Sequence, residues 1–287
     1  MKIKRAESDF TADGLPHNRF QLFFDCLKIR HRLLFAAGGV LLLFALPLLI
    51  LLLTHDATCA KIFADGATAN EDKAMWLFYT DLFFGLGNIV GYVILGLGLA
   101  GTARVLRQLS WGEGIFFGRD FADGIKLNGG AYAIVFALVG VVRLVCSVMN
   151  GAQANEFFWA VIKYMPLVSS VFLLAPVALL LLAEIAIYKS KLLRLTKNAV
   201  LMYFKTLPST FLATLCALLP FVGMAVIGAF SVPVYAKTLF VTLYVVLLLP
   251  VTQFGELLYC NMLFDKFINA EFYPEMVDKG VTRNKTA

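Results

Sequence analysis

The chain has 287 residues, 60% of them hydrophobic and only 15% charged, and a mean hydropathy of +0.79. A soluble domain is about a quarter charged, so this composition suits lipid as solvent and argues against a water-soluble enzyme. The formal charge of +6 sits beside apolar runs with no basic groove or aromatic–basic module, which argues against a nucleic-acid binder.

Residues 1–17 are polar and read as a flexible arm. From Asn18 to Lys28, Phe20, Phe23, Phe24 and Leu27 recur at helical spacing, with Asn18 placed to cap. This predicts a short helix lying flat at the membrane interface. Leu33–Leu53 follows as the first apolar run, and its length exceeds a signal-peptide core of roughly 7–15 residues. Further runs are Trp76–Gly101, Ala131–Met149, Tyr164–Tyr188, Thr210–Val232 and Thr238–Leu263. Each approaches or exceeds the roughly 20 residues that cross about 30 Å of hydrocarbon. Backbone amides in lipid must bond within their own segment, so these runs are predicted helices. Ile115–Asn128 and Ser190–Leu207 repeat the pattern of an interfacial helix ahead of a span, the latter with Lys191, Arg194, Asn198 and Lys205 on one face. The expected fold is therefore all-α and polytopic: six transmembrane helices in three hairpins, each hairpin preceded by a cytoplasmic interfacial helix. Residues 18–270 form that membrane domain, and 271–287 form a cytoplasmic tail.

Charge sets the orientation. All but five of the 25 Lys and Arg residues lie ahead of the first run (residues 1–32), in the second and fourth connections, or after the last run (residues 264–287); the five are Lys61, Lys73, Lys163, Lys237 and the intramembrane Arg143. By the positive-inside rule both termini face the cytoplasm.

Polar residues inside the spans are the candidate functional positions. Arg143 lies about six residues, or roughly 9 Å, from the outer end of span three, and a charge there calls for a compensating group. Asp81 in span two has nearly the same depth and shares a helix face with Asn88, so an Asp81–Arg143 pair is expected. It reads either as a structural tie or as an ion-coupling site. Glu256 shares a face with Thr252, Gln253 and Cys260 in the inner half of span six, and Glu184 lies near the inner end of span four. Both carboxylates read either as members of a polar cavity or as interfacial groups. Gly87-Asn-Ile-Val-Gly91 permits close helix approach, within the chain or between copies. Pro47, Pro166, Pro176, Pro220 and Pro250 each remove a backbone hydrogen bond from a span and are expected to kink it.

No serine-hydrolase elbow, zinc-protease motif, phosphate loop or dinucleotide fingerprint occurs. The sequence therefore predicts neither an enzyme nor a cofactor. His17, His31 and His55 are scattered, and no CxxC occurs among the five cysteines, so no metal site is expected.

Three segments carry a family likeness: Ala100–Leu109 with Asp120–Asn128, Lys197–Thr210, and Asn261–Ile268. Their order resembles the YesL-like family of bacterial integral membrane proteins over roughly residues 18–270. That family is of uncharacterised function and is often linked to carbohydrate ABC transport. The resemblance implies a non-enzymatic accessory or regulatory role, with transport components as partners alongside the lipid bilayer. Within the matching segments, Asp120, Lys126, Lys197, Asn198 and Lys266 are what a docking platform would use, and equally what headgroup contact and helix capping would use. The alternative function is a secondary transporter or permease using Asp81, Arg143 and Glu256.

Overall fold

The structure is a computed structural model that describes residues 16–64, 70–151, 157–229 and 234–281. Every regular element among the described residues is helical.

The first helix, α1 (Arg19–Ile29), starts where expected, because the Asn18 side-chain oxygen accepts the Gln21 N–H at 2.7 Å. Leu22 and Cys26 turn into the core and Phe23 stacks on Phe254 at 6.0 Å, while Phe20 and Phe24 remain exposed. This split of faces fits a helix lying along a bilayer surface. Burial, reinforced by the Asp25 charge, pushes the Cys26 thiol up to about 12, so it stays protonated.

The long helices α2 (His31–Ala64), α3 (Asn70–Ser110) and α4 (Phe117–Gly151) run well past their hydrophobic cores. The separate interfacial helix expected over Ile115–Asn128 is not a separate element. Phe117 opens α4, which continues through Gly129 and Gly130 without a break. Glycine weakens a helix interior by only about 1 kcal/mol, and Gly124 and Gly129 lie against Ala100 and Leu97 of α3.

Beyond α4 the remaining helices are segmented. α5 (Phe157–Ser169) and α6 (Ala175–Ile187) join through a π turn at Ser170–Leu174. α7 (Leu192–Lys205) meets α8 (Leu207–Ala229) at a bend, which is 105° between Leu192–Lys205 and Leu207–Leu219. The Thr206 N–H closes α7 on the Met202 and Tyr203 carbonyls, and Pro208 sits in the first turn of α8, where its missing N–H leaves nothing unpaired. α9 (Val234–Leu243) and α10 (Leu249–Phe264) join through a second π turn at Tyr244–Leu248. Five helical stretches are long and apolar enough to span a bilayer, and six when the bent α7–α8 pair counts as one span. The protein is an all-α, multi-pass membrane protein.

The π turns at Ser170–Leu174 and Tyr244–Leu248 each sit just ahead of a proline, Pro176 and Pro250, a third at Asp265–Asn269 does not, and Pro47 and Pro166 lie inside continuous helices. A helical proline strands the carbonyl four residues earlier. At Pro176 that carbonyl belongs to Phe172, and the Tyr203 hydroxyl of α7 donates to it. At Pro250 it belongs to Val246. Gly38 of α2 lies so close to it that a β-carbon there would sit 1.9 Å from the oxygen.

The glycines of α3 serve two neighbours. Gly87, Gly91 and Gly98 meet Leu51, Leu48 and Phe44 of α2, while Gly85, Gly96 and Gly101 meet Leu144, Phe136 and Phe121 of α4. The GxxxG element therefore packs within the chain.

At one end of the bundle, here the terminal end, α1 meets residues 265–281. Arg19 bonds Asp265 at 2.6 Å and the Lys279 carbonyl at 3.2 Å. Lys279 reaches Glu113 at 2.7 Å and lies 4.1 Å over the Trp111 ring, and Val281 is buried. The described part of the expected tail, residues 271–281, is thus folded back over the α3–α4 turn. The expected arm, apart from Pro16 and His17, lies outside the described residues.

Candidate functional site

At the far end of the bundle the expected Asp81–Arg143 pair is replaced by a different one. Asp81 Oδ1 lies 2.7 Å from His55 Nε2 on α2, while Arg143 is exposed on α4 and makes no ion pair among the described residues. Asp81 faces α2, whereas Arg143 is exposed. Cys59 joins the pair with Sγ 3.6 Å from the same imidazole nitrogen, and Asp56 lies 3.4 Å from Nδ1 on the opposite edge of the ring. The imidazole also packs edge-on against Phe84, with centroids 5.6 Å apart. The donor atoms of His55, Cys59 and Asp81 all lie within 4.8 Å of one another. The sequence reading ended the helix at Leu53 and so left His55 and Cys59 in a loop. Once α2 extends to Ala64 they are i and i+4 on one face.

Toward the terminal end, polar groups lie between α3, α6 and α10. The Thr102 hydroxyl donates to Gln253 Oε1 at 2.7 Å, and Gln253 Nε2 donates to the Leu99 carbonyl at 3.1 Å. Gln253 is thereby engaged as a tie between α10 and α3. Asn261 reaches Ser110 at 3.3 Å, the Tyr132 hydroxyl donates to the Leu182 carbonyl at 2.9 Å, and Arg107 donates to the Ala186 carbonyl at 3.2 Å. Asn88 is buried, and its side-chain oxygen has no hydrogen-bond partner among the described residues.

Glu184 differs from all of these. It is 0% exposed, and neither carboxylate oxygen has a hydrogen-bond partner among the described residues. Glu256, half-buried on α10, faces the same region, with Cys260 in electrostatic contact with both carboxylates. Of the expected intramembrane residues, Glu184 and Glu256 both lie within electrostatic reach of Cys260, whereas Asp81 stands with His55 and Cys59.

A cavity of about 360 Å³ opens at the terminal end between α7 and the segment after α10. Arg194, Asn198 and Lys205 supply its polar donors; Phe267, Tyr188 and Tyr273 supply aromatic walls. Tyr188 is held by its hydroxyl, which donates to Asn269 at 2.7 Å. Among the expected docking residues, Asn198 lines this cavity, and Lys126, Lys197 and Lys266 are exposed. Asp120 is buried instead. Its carboxylate accepts the Phe116 N–H at 2.7 Å and so caps the start of α4. Comparison with family models, curated proteins and solved structures gives no match.

Proposed function

We propose that this is a non-enzymatic accessory or regulatory protein of the bacterial cell membrane, with its terminal end in the cytoplasm. That end is an organised surface. The observation carrying the reading is the clamp formed by Arg19 on Asp265 and by Lys279 on Glu113 and Trp111, which holds residues 265–281 across the bundle. Lys197 and Lys266 are exposed on α7 and in the segment after α10, the two elements that flank the basic cavity. A platform built in this way suits contact with a neighbouring transport complex. The resemblance of residues 100–128, 197–210 and 261–268 to the YesL-like family supports a carbohydrate ABC transporter as that complex.

A second reading, a permease, is favoured by one observation: Glu184 is fully buried with no hydrogen-bond partner among the described residues, on a helix entered through a π turn. Such turns collect at functional sites, and an ionisable group in a span is a candidate for ion or proton handling.

One experiment separates the two. A photo-crosslinking residue replaces Lys197 or Lys266 in cells, and the same chain is reconstituted alone in vesicles. The accessory reading expects adducts to a subunit of a sugar transporter from both positions, none from Phe83, and no solute flux by the purified chain. Flux abolished by Glu184→Gln, with no such adducts, overturns it in favour of the permease.

A further inference from the structure

We propose that His55, Cys59 and Asp81 form a binding site for a borderline-soft divalent cation of the Zn²⁺ class at the far end of α2 and α3.

Three donors of different chemistry converge on one point. The thiol and the carboxylate both approach Nε2, the same nitrogen of the same ring, at 3.6 and 2.7 Å. A His–Asp hydrogen bond alone needs no thiol there. In tetrahedral zinc sites, bonds of about 2.0–2.3 Å require donors somewhat more than 3 Å apart, so the His–Asp contact would spread. The thiol already lies near that distance from Nε2, and the thiol and carboxylate, within 4.8 Å of each other, would draw together to admit an ion. The remaining corner is open to water, because the His55 and Asp81 side chains are 24% and 23% exposed.

Donor type narrows the ion. A set of nitrogen, sulfur and oxygen suits zinc and its neighbours, whereas Mg²⁺ and Ca²⁺ favour all-oxygen shells. Charge is balanced as well, since a thiolate and a carboxylate together offset two positive charges at the edge of an apolar bundle. On binding, the thiol proton leaves to solvent and the imidazole presents its Nε2 lone pair. Its remaining proton sits on Nδ1, which faces Asp56 at 3.4 Å. A carboxylate behind a ligating imidazole is the usual way such a ring is oriented. The Phe84 ring, 5.6 Å away between centroids, packs against the imidazole and restrains it. Two ligands come from α2 and one from α3, so the bound ion would bridge the first two spans.

The test uses the full chain in detergent, stripped with a chelator and titrated with Co²⁺. The expected result is one ion per chain with a thiolate-to-cobalt charge-transfer band that Zn²⁺ abolishes. Cys59→Ser should remove the band, and Asp81→Asn or His55→Gln should weaken binding by about tenfold or more, as even second-shell changes do at metal sites. Cys216→Ser should leave the band intact. A measurement on the unaltered protein guards against misfolded variants: Zn²⁺ should slow alkylation of Cys59 and a chelator should restore it, with Cys216 unaffected. Absence of bound Co²⁺, a band that survives Cys59→Ser, or alkylation of Cys59 indifferent to Zn²⁺ overturns the proposal.

Discussion

At the scale of single residues, the clearest contrast is between Asn18 and His55. Asn18 was legible because a cap depends on its immediate neighbours, and the bond to Gln21 forms as the local pattern requires. His55 was not, because its role depends on how far α2 continues past the apolar run and on which face of α3 meets it. Arg143 shows the same limit. Hydropathy reports depth, but no term in it reports direction around the helix axis. The pairing has a measurable consequence. In a double-mutant cycle, His55→Gln and Asp81→Asn should couple by about 0.5 kcal/mol or more, the range found for residues in contact. Asp81→Asn with Arg143→Gln should be additive within about 0.5 kcal/mol. Detergent unfolding of the three single variants, the two double variants and the parent gives both values.

Among the elements, the segmented helices teach most. Ser170-Val-Phe-Leu-Leu-Ala-Pro-Val177 and Tyr244-Val-Val-Leu-Leu-Leu-Pro-Val251 share a register of valine, paired leucines and proline, and each forms a π turn followed by an α segment. The prolines were visible in the sequence; how their stranded carbonyls would be accommodated was not, since Tyr203 and Gly38 come from elsewhere in the chain. Gly38→Ala should destabilise the bundle by about 1–3 kcal/mol, as overpacking does, because the obstructing atom is backbone and cannot rotate away. Tyr203→Phe should cost about 1–3 kcal/mol by leaving the Phe172 carbonyl unsatisfied. Gly39→Ala, whose added carbon meets nothing within 4 Å, is the control, and thermal unfolding in one detergent ranks all three. The second interfacial helix was misread for a related reason. The apolar run starts only at Ala131, yet a helix emerging from lipid into water keeps its hydrogen bonds, so Ile115–Asn128 is not set off from the span and α4 runs from Phe117.

For the whole molecule, the membrane fold was legible almost throughout, because lipid imposes one rule on every apolar run. The inner polar residues were only half legible: Glu184, Gln253 and Glu256 could be placed by depth, but Gln253 is engaged by Thr102 and Leu99 while Glu184 has no hydrogen-bond partner among the described residues. The orientation proposed above makes a direct prediction. A cysteine introduced as Arg194→Cys should resist an impermeant thiol reagent on intact cells and react after permeabilisation, whereas Lys61→Cys should react at once. The reverse pattern would invert the molecule.

The close approach of Gly38 to the Val246 carbonyl joins the first described span to the last. A ribosome delivers those two segments more than two hundred residues apart, so the opening helix must wait in the bilayer with one flank unfinished until synthesis is nearly over. A chain halted before that point exposes a small-residue groove to passing helices, and such a groove is a ready mark by which a membrane protease could tell an abandoned copy from a completed one.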